Sequence, residues 1–540
     1  MLNIFHPADS ATFYNRDYLN YDLTNYDLNM TFIGRTDELE FLESCYTSSK
    51  AQLVVVYGRR RVGKTELLTH FARNKSHIFF ASPSTSKNEQ LAAFSKQMFE
   101  AGSPAAKYIS QYADWESAIK DIINIPTKEG ERKLVIIDEF PYLVKSDSSL
   151  PSLIQNLWDH ALKDDNVMLV LCGSAMGFIE KEILSEKSPL YGRATGILKM
   201  LPMPYWDAAE FVPHYSPADK ALTYAILGGV PHYLVQFDPD KSVDTNIKRR
   251  ILRRGTALYS ETEFLMHQES REPATYNTIL QAVASGATQL NDIAQCTMLR
   301  PQAASTYLKN LIEVNILERE FPVNAKTVEA SKAMRGLYQI TDNFFRFWYA
   351  FIAPNLSNLE IGDIDGIYQY EIEPLLHDLA ATPFEHICAD WLRRENMRHT
   401  LPFRAQHIGR WWNRKTEIDV VATDKTQHRL LVGECKFRNK PIDIPILRDL
   451  QEKTAYLGAT EKHYLCSRST VSAPNWRDWH RTIHQYGWCP LNSSTSSNAT
   501  NSRGTNTQHR AHPATVHRRS HPCQDRQNHR RNPELPGRGH

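Results

Sequence analysis

Gly58 and Gly63 bracket Arg59, Arg60, Arg61 and Val62, and Lys64 and Thr65 follow, which satisfies the spacing G-x-x-x-x-G-K-[ST]. That spacing serves polyphosphate binding. The glycines let the backbone curl so that its N–H groups face phosphate oxygens, and the helix that follows adds its positive N-terminal end. Lys64 is placed to reach the β and γ phosphates, and the Thr65 hydroxyl to ligate Mg2+. Residues Gly58 to Thr65, with the adjoining Glu66, form the expected nucleotide contact set. Because the backbone does the cradling, at least two of the three arginine side chains should point outward, toward acidic partners or a helical lid.

A second stretch, "LVIIDEF" at 134–140, reads as a buried strand that carries Asp138 to the metal at its end. Glu139, one residue on, can polarise a water for attack on the γ-phosphate, the step that separates a hydrolase from a nucleotide holder. Ser174, in "LVLCGSA", falls at the tip of another strand in a sensor-like position, and Arg193, in "SPLYGRATG", could reach a γ-phosphate. A third constellation lies near the far end, in "EIDVVATDKTQHRLLVGECK". Side chains two apart on a strand share a face. A hairpin would therefore set Asp419, with Glu417, beside Glu434 and Lys436. This makes a divalent-metal pocket with a lysine to activate water, as phosphodiester cleavage requires. Glu385, on the helical stretch "PFEHICADWL", is the candidate fourth acid.

These groups need elements to hold them. From about 30 to 204, the apolar runs "QLVVVYG", "HIFFAS", "KLVIID" and "VMLVLCGSA" alternate with helical patterns, which predicts a parallel α/β sheet. Residues 205–268 turn helical and read as a lid. Residues 269–345 read as three helices and a pair of strands, "NILERE" and "GLYQITD", the pattern of a winged helix. On its third helix, Ala304, Tyr307, Leu308, Leu311 and Ile312 form the buried face, leaving Gln302, Ser305, Thr306 and Lys309 outward, with Arg300 just before. Such a unit serves either DNA contact or protein docking. Residues 346–374 connect to a mixed α/β domain at 375–485, and the greasy "FRFWYAFIA" (345–353) reads as core or domain interface. The Tyr-, Asn- and Asp-rich leader 1–29 and the Ser-, Asn-, His- and Arg-rich tail 486–540 lack the apolar content of a core.

A length of 540 residues predicts several domains, and a net charge of +2 averages over unlike segments. Eight scattered cysteines, with no C-x-x-C pair or zinc spacing, favour free thiols in a reducing compartment. No apolar run is long enough to span a bilayer, and the N-terminus lacks a secretory pattern, so the expected location is cytoplasmic.

In order along the chain, "FIGRTDELEFL", "YGRRRVGKTELL", "IIDEFPYL", "LCGSAMGF", "SPLYGRATG" and "LGGVPHYL" resemble the archaeal-type ATPases, P-loop proteins of the signal-transducing STAND class within the AAA-like group. The resemblance covers roughly residues 31–235 and implies ATP with Mg2+. It further implies that Phe32, Ile33 and Gly34 approach the adenine, and that Gly229 and Pro231 form a lid element that senses nucleotide. The C-terminal motif resembles the PD-(D/E)XK nuclease superfamily, and more narrowly the DUF234 domain that follows many archaeal-type ATPases; Ile418 stands where the superfamily has proline. It implies that Gln451 and Tyr456 contact a DNA backbone. Two functions fit. One is an ATP-hydrolysing switch coupled to a winged helix and a nuclease-like domain acting on double-stranded DNA. The other is a regulatory ATPase whose last domains bind only protein partners or further copies of the chain.

Overall fold

The computed structural model describes residues 32–270, 272–324, 336–437 and 444–468. The expected leader and tail lie outside them. The chain divides into two units, Met1–Gly34 and Arg35–His540. Of the first only Phe32, Ile33 and Gly34 are described, Gly34 with φ 65°.

In the second unit, β1 (Gln52–Tyr57), β2 (His77–Ala81), β3 (Lys133–Asp138), β4 (Val167–Gly173) and β5 (Gly196–Lys199) form one sheet in the order β2-β3-β4-β1-β5, every pairing parallel. All residues of β1 and β4 are buried. Helices cover both faces of such a sheet, so its central strands read as unbroken apolar runs. All strands point one way, and their C-terminal ends therefore line up the loop after β1, the Asp138–Glu139 pair and Ser174 along one edge. Strand β5 escapes the sequence pattern. It is an edge strand of four residues with Ile197 half-exposed, too short and too wet to show as an apolar run.

Two glycines are fixed by close approach. A side-chain carbon on Gly58 would lie 2.3 Å from the Met200 carbonyl oxygen, because Met200 N–H donates to Tyr57 O (2.6 Å) and draws the end of β5 against the loop. One on Gly229 would lie 1.8 Å from Met203 O, in a junction closed by Met203 N–H to Gly229 O (2.6 Å).

Residues 205–376 form a helical region. The helices Pro273–Ala284, Leu290–Thr297 and Pro301–Glu313 are followed by the antiparallel pair β6 (Leu317–Glu320) and β7 (Leu337–Ile340). In the third helix Ala304, Leu308 and Leu311 are buried and Gln302, Ser305, Thr306 and Lys309 are exposed, as the periodicity requires. The segments divided above at 268 and 345 share a single apolar core that runs from Ala208 to Leu376. Phe345, Phe347, Trp348, Tyr349, Phe351 and Ile352 all lie inside it.

The C-terminal sheet has the order β11-β10-β9-β8, made of β8 (His407–Trp412), β9 (Glu417–Thr423), β10 (Arg429–Lys436) and β11 (Glu461–Arg468). Strands β8, β9 and β10 pair antiparallel, and β11 joins β10 in parallel. The helix Leu376–Met397 packs on one face and the helix Ile444–Lys453 on the other. No helix among the described residues is long and apolar enough to cross a membrane. Cys45, Cys172, Cys388 and Cys435 are free buried thiols.

Candidate functional site

Gly63 (φ 87°) caps the helix Lys64–Ala72, so the turn after β1 ends on a helix N-terminus. The Lys64 ammonium is buried and donates to the loop carbonyls of Gly58 (2.9 Å) and Arg59 (3.0 Å). No ion pair joins it to a described carboxylate, and burial pushes its pKa down. A buried cation held by loop carbonyls, with Glu139 and Asp138 acting on it only at a distance, suits a polyphosphate. Thr65 Oγ1 donates to Asp138 Oδ2 (2.6 Å), so the hydroxyl and carboxylate expected to share a metal already touch. Asp138 Oδ1 accepts from Glu139 N–H (2.9 Å). Glu139 sits in the left-handed region (φ 50°, ψ 44°), and its carboxylate accepts from Ser174 Oγ (2.8 and 3.0 Å) and Ser174 N–H (3.4 Å). Ser174 thus orients the proposed water-polarising acid.

All three loop arginines turn outward onto acids of the helical region. Arg59 pairs with Asp342, both buried, donates to Tyr233 OH (3.3 Å) and lies over the Phe345 ring. Arg60 pairs with Glu269 (3.1 Å) and Arg61 with Glu261 (3.0 Å), both on the helix Glu261–Glu269. Burial pushes both glutamate pKa values up, against the pull of their arginines. Pro231 Cγ lies 3.6 Å from where a side-chain carbon on Gly63 would sit, which sets the Gly229–Pro231 turn against the loop. Arg35 was missed by sequence reading. Its buried guanidinium donates to Val62 O (2.9 Å) and Leu201 O (2.8 Å), bracing the loop's far wall.

One expected member stands elsewhere. The Arg193 guanidinium is clamped by Asp159 at 2.8 to 3.1 Å and donates to Pro189 O (3.1 Å). Its charge is already engaged by a carboxylate on the helix Leu150–His160, so it is not a free cation awaiting phosphate.

In the C-terminal sheet, Asp419 Oδ2 accepts from Cys435 N–H (2.8 Å) and lies 3.8 Å from Lys436 Nζ, which contacts Glu434 at 2.6 Å. The hairpin brings Asp419, Glu434 and Lys436 together as the spacing requires. Glu417 diverges: it is exposed at the open end of β9 and pairs with Arg410. Among the described residues no three His, Cys, Asp or Glu side chains are gathered to hold a metal ion. Internal cations stand between the expected ligands Glu385, Asp419 and Glu434. Glu434 is held by Lys436 and Lys453 (3.6 Å), and Glu385 by Arg410 (3.2 Å), which also grips Glu320 of β6 (3.2 Å). Glu434 Oε2 is nonetheless buried without a hydrogen bond, a donor set that retains capacity for a cation. Glu385, Asp419 and Arg410 open onto a cavity of about 860 Å3 together with Tyr224 and Asp390. Gln451 and Tyr456 lie after β10, where Tyr456 is exposed and stacks against Trp411.

Burial and the neighbouring Asp419 push the Glu385 carboxyl up to about 8, despite Arg410. Between its ordinary value near 4.5 and 8, the folded chain keeps a proton that the unfolded chain has released, so stability falls as pH rises through that window. The buried His386, pushed down to about 4, is neutral in the folded chain, and because the unfolded imidazole finishes discharging only above about 7.5 it offsets a small part of this loss. From pH 6.5 to 8 the native state should lose roughly 1 kcal/mol on balance. Urea melts of the wild type and Glu385→Gln check it: the variant should show a flatter dependence, and equal slopes would remove Glu385 as the cause.

A family model described as an ATPase domain predominantly from Archaea matches residues 32–237. DUF234, described as archaeal and bacterial proteins of unknown function, matches residues 348–454. The uncharacterized protein MJECL04 of Methanocaldococcus jannaschii is 33% identical over 440 residues, which span 80% of this chain and 94% of that protein. Among solved structures, the Walker-type ATPase PABY2304 of Pyrococcus abyssi superposes with a TM-score of 0.46 at 19% identity, over 59% of this chain and 96% of that one. The ORC2 protein of Aeropyrum pernix gives 0.38 at 13% identity, over 64% and 96%. With the phosphate loop, its strand-end acids and a relative matched along nearly its whole length, this chain belongs to the archaeal-type ATPase family and carries a C-terminal DUF234 region.

Proposed function

We propose that the chain is a nucleotide-driven switch of the STAND type, cytoplasmic, in which ATP hydrolysis at the loop after β1 sets the posture of a DNA-directed C-terminal half. The observation that carries this reading is the set of three ion pairs from consecutive loop residues to Glu261, Glu269 and Asp342. A loop that cradles phosphate through its backbone while its side chains hold the helical region transmits any change in its shape. Bound Mg2+ would neutralise charge on the phosphates and orient them. Thr65 and Asp138 would hold it, Lys64 would grip the phosphates, and Glu139, steered by Ser174, would take the proton from the attacking water. Phe32, Ile33 and Gly34 are assigned to the base, and Gly229 with Pro231 to the lid.

The three helices and strand pair at 269–345 are read as a winged helix that contacts duplex DNA. Asp419, Glu434 and Lys436, with Glu385, are read as a nuclease-like centre in which a divalent cation would displace the internal lysines. The test is incubation with plasmid and Mg2+ or Mn2+, with and without ATP. Nicking should appear in the wild type and fall at least about 100-fold in Asp419→Ala and Lys436→Ala. Cleavage that survives both substitutions ends the nuclease reading. A second reading, in which the C-terminal half binds only partners, draws on the cations that already neutralise its carboxylates. It predicts ATP turnover without any metal-dependent nicking.

A further inference from the structure

The stretch Ile247-Lys248-Arg249-Arg250-Ile251-Leu252-Arg253-Arg254 carries five cations in eight residues. Ile247, Ile251 and Leu252 are fully buried in the core of the helical region. Lys248 ties the segment to its neighbours, pairing with Asp365 (2.8 Å) over the Tyr368 ring (4.6 Å). Arg249, Arg250, Arg253 and Arg254 are left exposed, and none forms an ion pair with another described residue. Other guanidinium groups are held by carboxylates, among them Arg35, Arg59, Arg60, Arg61, Arg193 and Arg410. The helical run Ile247–Leu252 ends here, and the partial charge at a helix C-terminus, about half an elementary charge, compensates at most one of the four.

We infer that Arg249, Arg250, Arg253 and Arg254 form a rigid docking surface for the phosphate backbone of double-stranded DNA. The inference rests on the DNA-directed reading above and names the surface that reading lacks. Guanidinium forks match phosphate oxygens two at a time. The helical run ends at Leu252 and Arg253 is extended, so Arg249 to Arg254 span on the order of 10 Å, a length over which one DNA strand offers about three phosphates. A membrane surface is disfavoured because the apolar side chains of the segment face inward and leave nothing to insert. A protein interface would set its weight on apolar groups, and the segment's own apolar side chains are buried. Contacts of this kind hold a duplex without reading its sequence.

The test measures binding of the full-length protein to a fluorescent duplex of about 30 base pairs by anisotropy, across roughly 50 to 200 mM salt. In the quadruple variant R249A/R250A/R253A/R254A, affinity should fall on the order of 100-fold, and the slope of log affinity against log salt should flatten by about 2 to 3. ATP turnover without DNA and the melting temperature should stay at wild-type values, since these side chains touch neither the loop nor the core. Unchanged affinity and slope in the variant overturn the surface while the DNA reading stands. A wild type with no affinity for duplex sinks both. Binding to anionic lipid vesicles that is lost in the variant, with duplex binding intact, assigns the patch to a membrane and overturns the inference as well.

Discussion

Glu139→Gln is expected to lower kcat for ATP hydrolysis about 100- to 10,000-fold while nucleotide affinity stays within a fewfold of wild type. Glutamine keeps the size of the side chain and can still accept from Ser174 Oγ, so the geometry at the strand edge survives. It cannot accept a proton from water. The site holds Glu139 at some cost, since a left-handed backbone at a non-glycine residue is disfavoured by about 1–3 kcal/mol. A residue kept in that posture, with its carboxylate steered by Ser174 and its amide tied to Asp138, is one whose direction matters. Steady-state phosphate release together with equilibrium binding of a fluorescent ATP analogue reads both quantities. A kcat within a few fold of wild type would remove the role.

Truncating either member of the Arg59–Asp342 pair should cost about 3–5 kcal/mol of stability, because the remaining charge is stranded in the core. Asp342→Ala also loses a helix cap, since Asp342 Oδ1 accepts from Phe345 N–H (3.0 Å), and should be the worse of the two. Arg59→Met combined with Asp342→Leu should recover most of the loss, because an apolar pair of similar volume leaves no naked charge. Urea denaturation of the four proteins in a double-mutant cycle measures the coupling. Additive single losses would show that the two side chains do not depend on each other. Under the switch reading, the double variant should fold and bind nucleotide but lose any effect of ATP on the C-terminal half.

What the sequence makes legible follows chain distance. The phosphate loop, Asp138 and Glu139 could be read because each lies in a contiguous strand–turn–helix stretch whose local pattern fixes its geometry. The Asp419–Glu434–Lys436 grouping was readable for the same reason, being one hairpin with a period of two. The partners of the loop arginines were not. Glu261, Glu269 and Asp342 lie about 200 to 280 residues away, and no local propensity marks an acid that will meet an arginine from another segment. Arg410 is of the same kind. Its three carboxylates come from β6, β9 and the helix Leu376–Met397, a tertiary clamp that no local pattern announces.

The helix Pro217–Leu227 gives Ala221 and Ala225 to the core of the C-terminal sheet and Ile226 and Leu227 to the core of the helical region. Asn343, next to Asp342, donates to Tyr224 O on the same helix (2.8 Å), and Tyr224 borders the cavity of Glu385. That helix sits inside the first matched stretch and rests on the second. Exchanging either stretch alone would set Ala221 and Ala225 against a surface they are not packed for. Enlarging Ala221 or Ala225 should therefore demand compensating changes along the helix Leu376–Met397.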